Sequence, residues 1–198
     1  ITGLAQRSDQ GAKDFASEVA QYCKAYNLDG VNYDDEYSKA PDLSNPSLTN
    51  PSRDAAARLC YETKLAMPDK LVTVFAYGQM FGATTVDGVD VSEWIDIAVP
   101  NYGSSVHPIG NMTYEQCAGI AMEFHLGIGG TLSPSTARDL MSYGFGWYMG
   151  FAPSPEKYSN IFRRLTGAET LYGSQIKQPT IFYKKDDPTP YKYPDDLR

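Results

Sequence analysis

Four acidic side chains, Asp29, Asp34, Asp35 and Glu36, fall within eight residues in the string Leu-Asp-Gly-Val-Asn-Tyr-Asp-Asp-Glu, residues 28 to 36. Val31 and Tyr33 favour a strand, and side chains two apart on a strand share a face. Asn32, Asp34 and Glu36 therefore point one way. Two carboxyls at the end of a buried strand repel each other and lose solvent. Both effects raise the pKa of one of them, which keeps an acid protonated near neutral pH. Such a pair can do general acid–base work. The same residue types also make a solvated acidic loop, or a set of oxygen ligands for a hard cation.

The elements around this string alternate. Residues 9 to 26 carry Ala12, Phe15, Val19, Tyr22, Cys23 and Tyr26 at helical spacing. Ser8 or Asp9 can cap the start, and Asn27 can take the left-handed position at the end. The acidic strand follows at once, then a Pro-, Ser- and Asn-rich loop that leaves the motif end of the strand and can reach a ligand. The pattern predicts a second helix capped by Asn50 with Pro51 at its first position, stopped by Pro68. Residues 71 to 77 form a near-continuous apolar strand, as where both faces are covered. Residues 86 to 91 read as a turn or short hairpin, 94 to 99 as a strand, and 113 to 119 as a weak helix. Strands at 121 to 126 and 143 to 151 enclose a helix opened by Ser133 and Pro134. A last helix is capped by Ser154, begins at Pro155, shows Tyr158, Ile161, Phe162 and Leu165 on one face, and ends at Gly167. Helices feeding apolar strands are the units of a parallel α/β fold.

Composition narrows the function. The chain has 198 residues, enough for one sizeable core. It lacks a run of 18 apolar residues, so no membrane-spanning segment is read. The net charge of −7, without a Lys/Arg stripe, argues against nucleic acid as a partner. The 15 tyrosines suit sugar binding, because an aromatic ring can lie against the apolar face of a sugar; ordinary core and surface positions use tyrosine too. Cys23, Cys60 and Cys117 are odd in number and lack metal spacing, so free thiols buried in helices are expected. His107 and His125 also lack ligand spacing and read as structural. Neither a metal nor a cofactor is expected. Gly127, Gly129 and Gly130 make a flexible turn without the Gly-Lys-Ser/Thr that phosphate binding would need.

The spacing of Asp29, Asn32, Asp34 and Glu36 resembles the Asp-x-x-Asp-x-Asp-x-Glu signature of glycoside hydrolase family 18, with Asn32 where the pattern has Asp. Chitinases of the family usually have Trp before the Glu. Asp35 stands there instead, and the string Asp-Asp-Glu-Tyr resembles the endoglycosidase H branch. The likeness extends over residues 3 to 173 and includes Gly3-Leu4-Ala5, Met67-Pro68-Asp69-Lys70, Gly88-Val89-Asp90-Val91-Ser92 and Leu171-Tyr172-Gly173.

The resemblance implies a (β/α)8 TIM barrel of which this chain supplies about strands 4 to 8, with reduced helices after strands 5 and 6. Residues 1–173 would be the C-terminal part of that barrel and 174–198 an extension. Roughly three further strands would lie upstream, on another segment or chain. The implied activity is that of an endo-β-N-acetylglucosaminidase cleaving the β-1,4 bond of the N,N'-diacetylchitobiose core of an N-linked glycan or glycoprotein. Glu36 would be the acid and then the base. Asp34 would hold the acetamido N–H, and Tyr102 would bond the acetamido carbonyl, although a core tyrosine is an equal reading of that position. Asp29, Asn32, Asn101, Phe151 and Tyr77 are further candidates for binding substrate, with barrel-core packing an equal role for Phe151. A secreted, periplasmic or cell-surface location is implied as well. The alternative on the same barrel is a non-catalytic glycan- or chitin-binding protein.

Overall fold

The computed structural model describes residues 3–36, 39–80, 82–153 and 158–174. Helix α1 (Asp9–Ala25) starts where Ser8 is extended and its Oγ accepts the Gly11 N–H at 3.1 Å. It ends where Asn27 takes φ +50°, the left-handed position that asparagine tolerates. Strand β1 (Gly30–Tyr33) follows. A Cβ on Gly30 would sit 2.1 Å from the Leu71 carbonyl oxygen, so only glycine lets the two strands begin side by side.

Helix α2 (Arg53–Ala66) leads to β2 (Leu71–Ala76), which pairs in parallel with β1. The helix starts later than expected. Ser52, not Asn50, is the cap, with its Oγ accepting the Ala55 N–H at 3.0 Å, and Pro51 lies before it. Residues 39–52 do not hang free beside the strand end. Backbone bonds from Ser8 to Ser47, Thr49 to Gln6 and Ser52 to Ala5 tie them to the N-terminal turn.

Between β2 and β5 (Ile97–Pro100) the chain makes a short hairpin of β3 (Thr85–Val86) and β4 (Val89–Asp90), as the glycines indicated, and a single 3-10 turn. Strand β5 begins three residues later than expected because Trp94 belongs to the core, its indole N–H donating to the Val89 carbonyl at 3.2 Å. The weak helix expected at 113–119 is absent. Thr113 and Gln116 hold one turn through their side chains, and β7 (Ala118–Glu123) already starts at Ala118. Strand β6 (Gly103–Ser104), which pairs antiparallel with β7, had no signal in so short a segment. Residues 124–127 are a turn and not the end of a strand.

Helix α3 (Pro134–Tyr143) is capped by Ser133 as expected and closed by Gly144 at φ +83°. That closure leaves Tyr143 in the helix and shortens β8 to Trp147–Phe151. Helix α4 (Tyr158–Arg164) stops earlier than Gly167, which instead precedes a further short helix α5 (Ala168–Tyr172). Ser154, Pro155 and residues 175–198 lie outside the described residues.

The five longer strands are parallel and follow chain order, β1-β2-β5-β7-β8, with β5 joined to β7 through the Ala98–Cys117 bridge. Among the described residues β1 pairs with no strand on its other side. Alternation sorts the side chains. Tyr33, Val72, Val74 and Ala98 enter one core with α1 and α2, where the Tyr33 hydroxyl and Thr63 Oγ1 lie 2.8 Å apart. Ile120, Met122, Phe124 and Leu140 form a second core under α3 and α5. All three thiols are free and buried, but only Cys23 and Cys60 lie in helices, Cys117 bridging to Ala98 just before β7; burial pushes Cys60 up to about 12, so it stays an unreactive thiol. Among the described residues no helix is long and apolar enough to cross a membrane.

Candidate active site

The opposite face of the sheet carries the acids. Asn32, Asp34 and Glu36, on and just past β1, line a cavity of about 150 Å³. Its other walls are Phe75 from β2, Val99 from β5, Tyr102 just beyond β5, and Met149 and Phe151 from β8. Strands β1 and β8 stand at opposite ends of the strand order yet line one hollow, so the sheet curls around it. Every contributor sits at or near the C-terminal end of its strand, the end that carries chemistry in parallel barrels.

The acidic string divides by alternation. Asp34 and Glu36 face the cavity and are half-buried. Asp35 points away and is buried, with its Oδ2 accepting the Ala5 N–H at 2.8 Å. Asp34 Oδ1 is shut off from solvent and has no hydrogen-bond partner among the described residues. Desolvation raises the Asp34 pKa to about 6, and the neighbouring Glu36 charge and the hydrogen bond shared with Glu36 raise it further in the same direction. Asn32 does not ionise. Its Oδ1 accepts the Thr73 hydroxyl at 2.8 Å, which fixes the amide against β2. Glu36, and not Asn32, is therefore the neighbour that raises Asp34.

The aromatic residues form one connected wall. Tyr102, half-buried, lies 5.7 Å from Phe75 and 6.5 Å from Phe151 by ring centroid, tilted to both. Tyr77 stacks on Phe75 at 6.0 Å, outside the cavity lining and exposed. Two candidates fall elsewhere. Asp29 is exposed at the N-terminal end of β1, about 20 Å from Glu36 by the rise of an extended chain. Asn101 is exposed and turns back on its own backbone, accepting the Tyr102 N–H at 2.7 Å.

Phe75, Val99 and Met149 escaped the sequence reading. The segment 71–77 is apolar at nearly every position, so nothing in it separates the face that packs on helices from the face that lines the cavity. The available signal was parity: Phe75 is out of phase with Val72 and Val74. Among the described residues no cluster of His, Cys, Asp or Glu could hold a metal.

No family model matches the chain. It is 37% identical over 193 residues to endo-beta-N-acetylglucosaminidase F1 of Elizabethkingia meningoseptica, covering 93% of this chain and 56% of that protein. It is 30% identical over 108 residues to an endo-beta-N-acetylglucosaminidase of Flavobacterium sp. (strain SK1022), covering 54% of this chain and 33% of that protein. The fold is similar to the crystal structure of Bacteroides thetaiotamicron EndoBT-3987 in complex with Man9GlcNAc2Asn substrate, with a TM-score of 0.88 and 73% identity over the whole of this chain and 50% of that one. The same protein with Man5GlcNAc product gives a TM-score of 0.88 at 74% identity, covering 46% of that chain. The chain thus spans about half the length of the relatives it matches.

Proposed function

We infer the reaction from the family together with the site: the chain belongs with the endo-β-N-acetylglucosaminidases of glycoside hydrolase family 18. It carries the catalytic acids of an enzyme that cleaves the β-1,4 bond between the two N-acetylglucosamines of an N-linked glycan. The five parallel strands are the fourth to eighth of a (β/α)8 barrel. Strands completing the ring stand between β8 and β1, beside the edge of β1 that has no partner strand among the described residues.

The observation that carries the reading is the buried Asp34 Oδ1, unpartnered among the described residues, beside Glu36 in a cavity walled by aromatic rings. A buried carboxylate oxygen without a donor is costly, and the acetamido N–H of an N-acetylglucosamine is such a donor. With that N–H held, the acetamido oxygen is turned toward the anomeric carbon. Glu36 gives its proton to the glycosidic oxygen as the C1–O bond breaks, and the acetamido oxygen forms the new bond to C1. The resulting oxazolinium ion is stabilised by the Asp34 carboxylate. Glu36, now a base, takes a proton from water as that water attacks C1 and the acetamido oxygen departs. Two inversions retain the β configuration, and no enzyme carboxylate becomes a nucleophile, an exception this family is known for. The Tyr102 hydroxyl bonds the acetamido carbonyl, a role supported by its position in the cavity wall. N-linked glycoproteins are displayed beyond the cytoplasm, so a secreted, periplasmic or cell-surface location fits this substrate.

The test is mass spectrometry of a glycoprotein carrying Man9GlcNAc2, treated with the protein that bears this chain. One N-acetylglucosamine left on Asn is the expected product. Binding of the glycan with no cleavage would leave a glycan-binding protein, and release of the whole glycan would exclude this bond as the target.

A further inference from the structure

Tyr102 stands on a reversal of the chain that a parallel sheet does not require. Parallel neighbours are ordinarily joined by a long crossover. Here the chain runs up β5, turns at residues 101–102 and comes straight back down as β6 along β7. The two legs use one edge of β7 in succession. Ala98 of β5 bridges to Cys117, and beyond that bridge β6 takes over, with Ser104 opposite Ile120 and Gly103 opposite Ala121. The Ser105 N–H extends the second leg by donating to the Gly119 carbonyl at 2.9 Å.

Both legs are held in ladders right up to the turn. Pro100 lies opposite Ala76 of β2, and Gly103 opposite Ala121 of β7. Two residues remain to close the reversal. Asn101, which is exposed, closes it with its own side chain, Oδ1 accepting the Tyr102 N–H at 2.7 Å. Gly103 permits it with φ +137°. A Cβ at Gly103 would meet nothing within 4 Å, so the need for glycine is conformational and not steric. The Tyr102 ring then leans between Phe75 and Phe151 in the cavity wall.

We propose that Asn101 and Gly103 are positioning residues for Tyr102. They clamp its backbone between two ladders, so that the hydroxyl waits at one place in the cavity wall before substrate arrives. A preorganised donor needs no reorganisation at the moment of reaction, and a small displacement of one is expensive. Asn101 acts on the acetamido group through Tyr102 and does not itself touch the sugar. The inference rests on the endoglycosidase reading.

A double-mutant cycle on a glycopeptide carrying Man9GlcNAc2 tests it. Asn101 is the residue to vary, because Gly103→Ala also strains the backbone. Asn101→Ala should lower kcat roughly fivefold, about the worth of one hydrogen bond, with KM and Tm nearly unchanged. Asn101→Asp keeps the acceptor oxygen and should recover most of that loss. In the Tyr102→Phe background, Asn101→Ala should cost nothing further. An equal loss with and without the Tyr102 hydroxyl, or a rise in KM, would show Asn101 bonding the sugar itself. Full activity of Asn101→Ala would show that the turn positions nothing. Either result overturns the proposal. If the unaltered protein cleaves no Man9GlcNAc2 glycopeptide, the endoglycosidase reading has failed. The cycle is then read in calorimetric binding of N-acetylglucosamine, where coupling between the two residues upholds the clamp and independent effects overturn it.

Discussion

Asp35 and Ala5 are thirty residues apart in the chain and joined by one hydrogen bond, from the Ala5 N–H to the buried Asp35 Oδ2 at 2.8 Å. That bond anchors the N-terminal turn at the motif end of β1. It gives the middle acid a structural task while its neighbours on either side face the cavity. Asp35→Ala should therefore destabilise the protein by about 1–3 kcal/mol, the usual cost of an orphaned buried donor. Thermal unfolding checks this, and an unchanged Tm would show that Asp35 braces nothing.

Glu36→Gln should keep glycan binding and lose hydrolysis by roughly a hundredfold or more, the usual worth of a positioned acid. Binding of Man9GlcNAc2 glycopeptide by calorimetry and turnover by mass spectrometry, run on one preparation, separate the two effects. Near-normal turnover would remove Glu36 from its role.

Asp34 carries a pH prediction. Its folded pKa of about 6 lies above the ordinary 3.8, so the folded protein holds this proton more tightly than the unfolded chain does. The associated stability is fully present below the unfolded value and is lost as pH rises through the folded value, over a window of about pH 4 to 6. Asp34→Asn removes the penalty of ionising this site, so it should raise Tm relative to the unaltered protein near neutral pH and not near pH 4. The same variant should be slow to form the oxazolinium ion yet still use a preformed sugar oxazoline as donor. A covalent sugar found on Asp34 would show a conventional nucleophile instead.

Tyr102→Phe keeps the ring that packs between Phe75 and Phe151 and removes only the hydroxyl. If the hydroxyl bonds the acetamido group, kcat should fall by roughly tenfold to a thousandfold, as for loss of one transition-state donor, with Tm nearly unchanged. Full activity in this variant would leave Tyr102 a packing residue.

The edge of β1 that has no partner strand among the described residues, with the exposed Leu71 and Trp147, gives a prediction about the 198 residues alone. An open strand edge with exposed apolar side chains invites association. Expressed by itself, this stretch should aggregate or lack activity, and a longer protein that supplies the remaining strands should be soluble and active. A monomeric, active 198-residue protein, judged by light scattering and turnover, would contradict the barrel assignment.

Much of the fold was legible locally. Ser8, Ser133 and the left-handed Asn27 mark helix ends because capping satisfies backbone groups within a few residues. The helical stripe on residues 9 to 26 and the glycine-punctuated hairpin near residue 88 are also short-range features. The acid pair was legible for the same reason: a period of two places Asp34 and Glu36 together whatever surrounds them. Boundaries set by distant partners were not legible. Trp94 left the strand for the core, Gln116 held a turn in place of a helix, and β6 exists only because β7 lies beside it. Tertiary structure alone decided which acid braces and which ones face the cavity. Asp35 is buried against Ala5, Asp34 is left with an oxygen that no group among the described residues serves, and Asp29 is left at the far end of the strand. The wall of Phe75, Tyr102 and Phe151 arises in the same way, from three strands that the chain separates and the curl of the sheet brings around one cavity. Local sequence determines which side chains share a face; long-range packing determines what that face encloses.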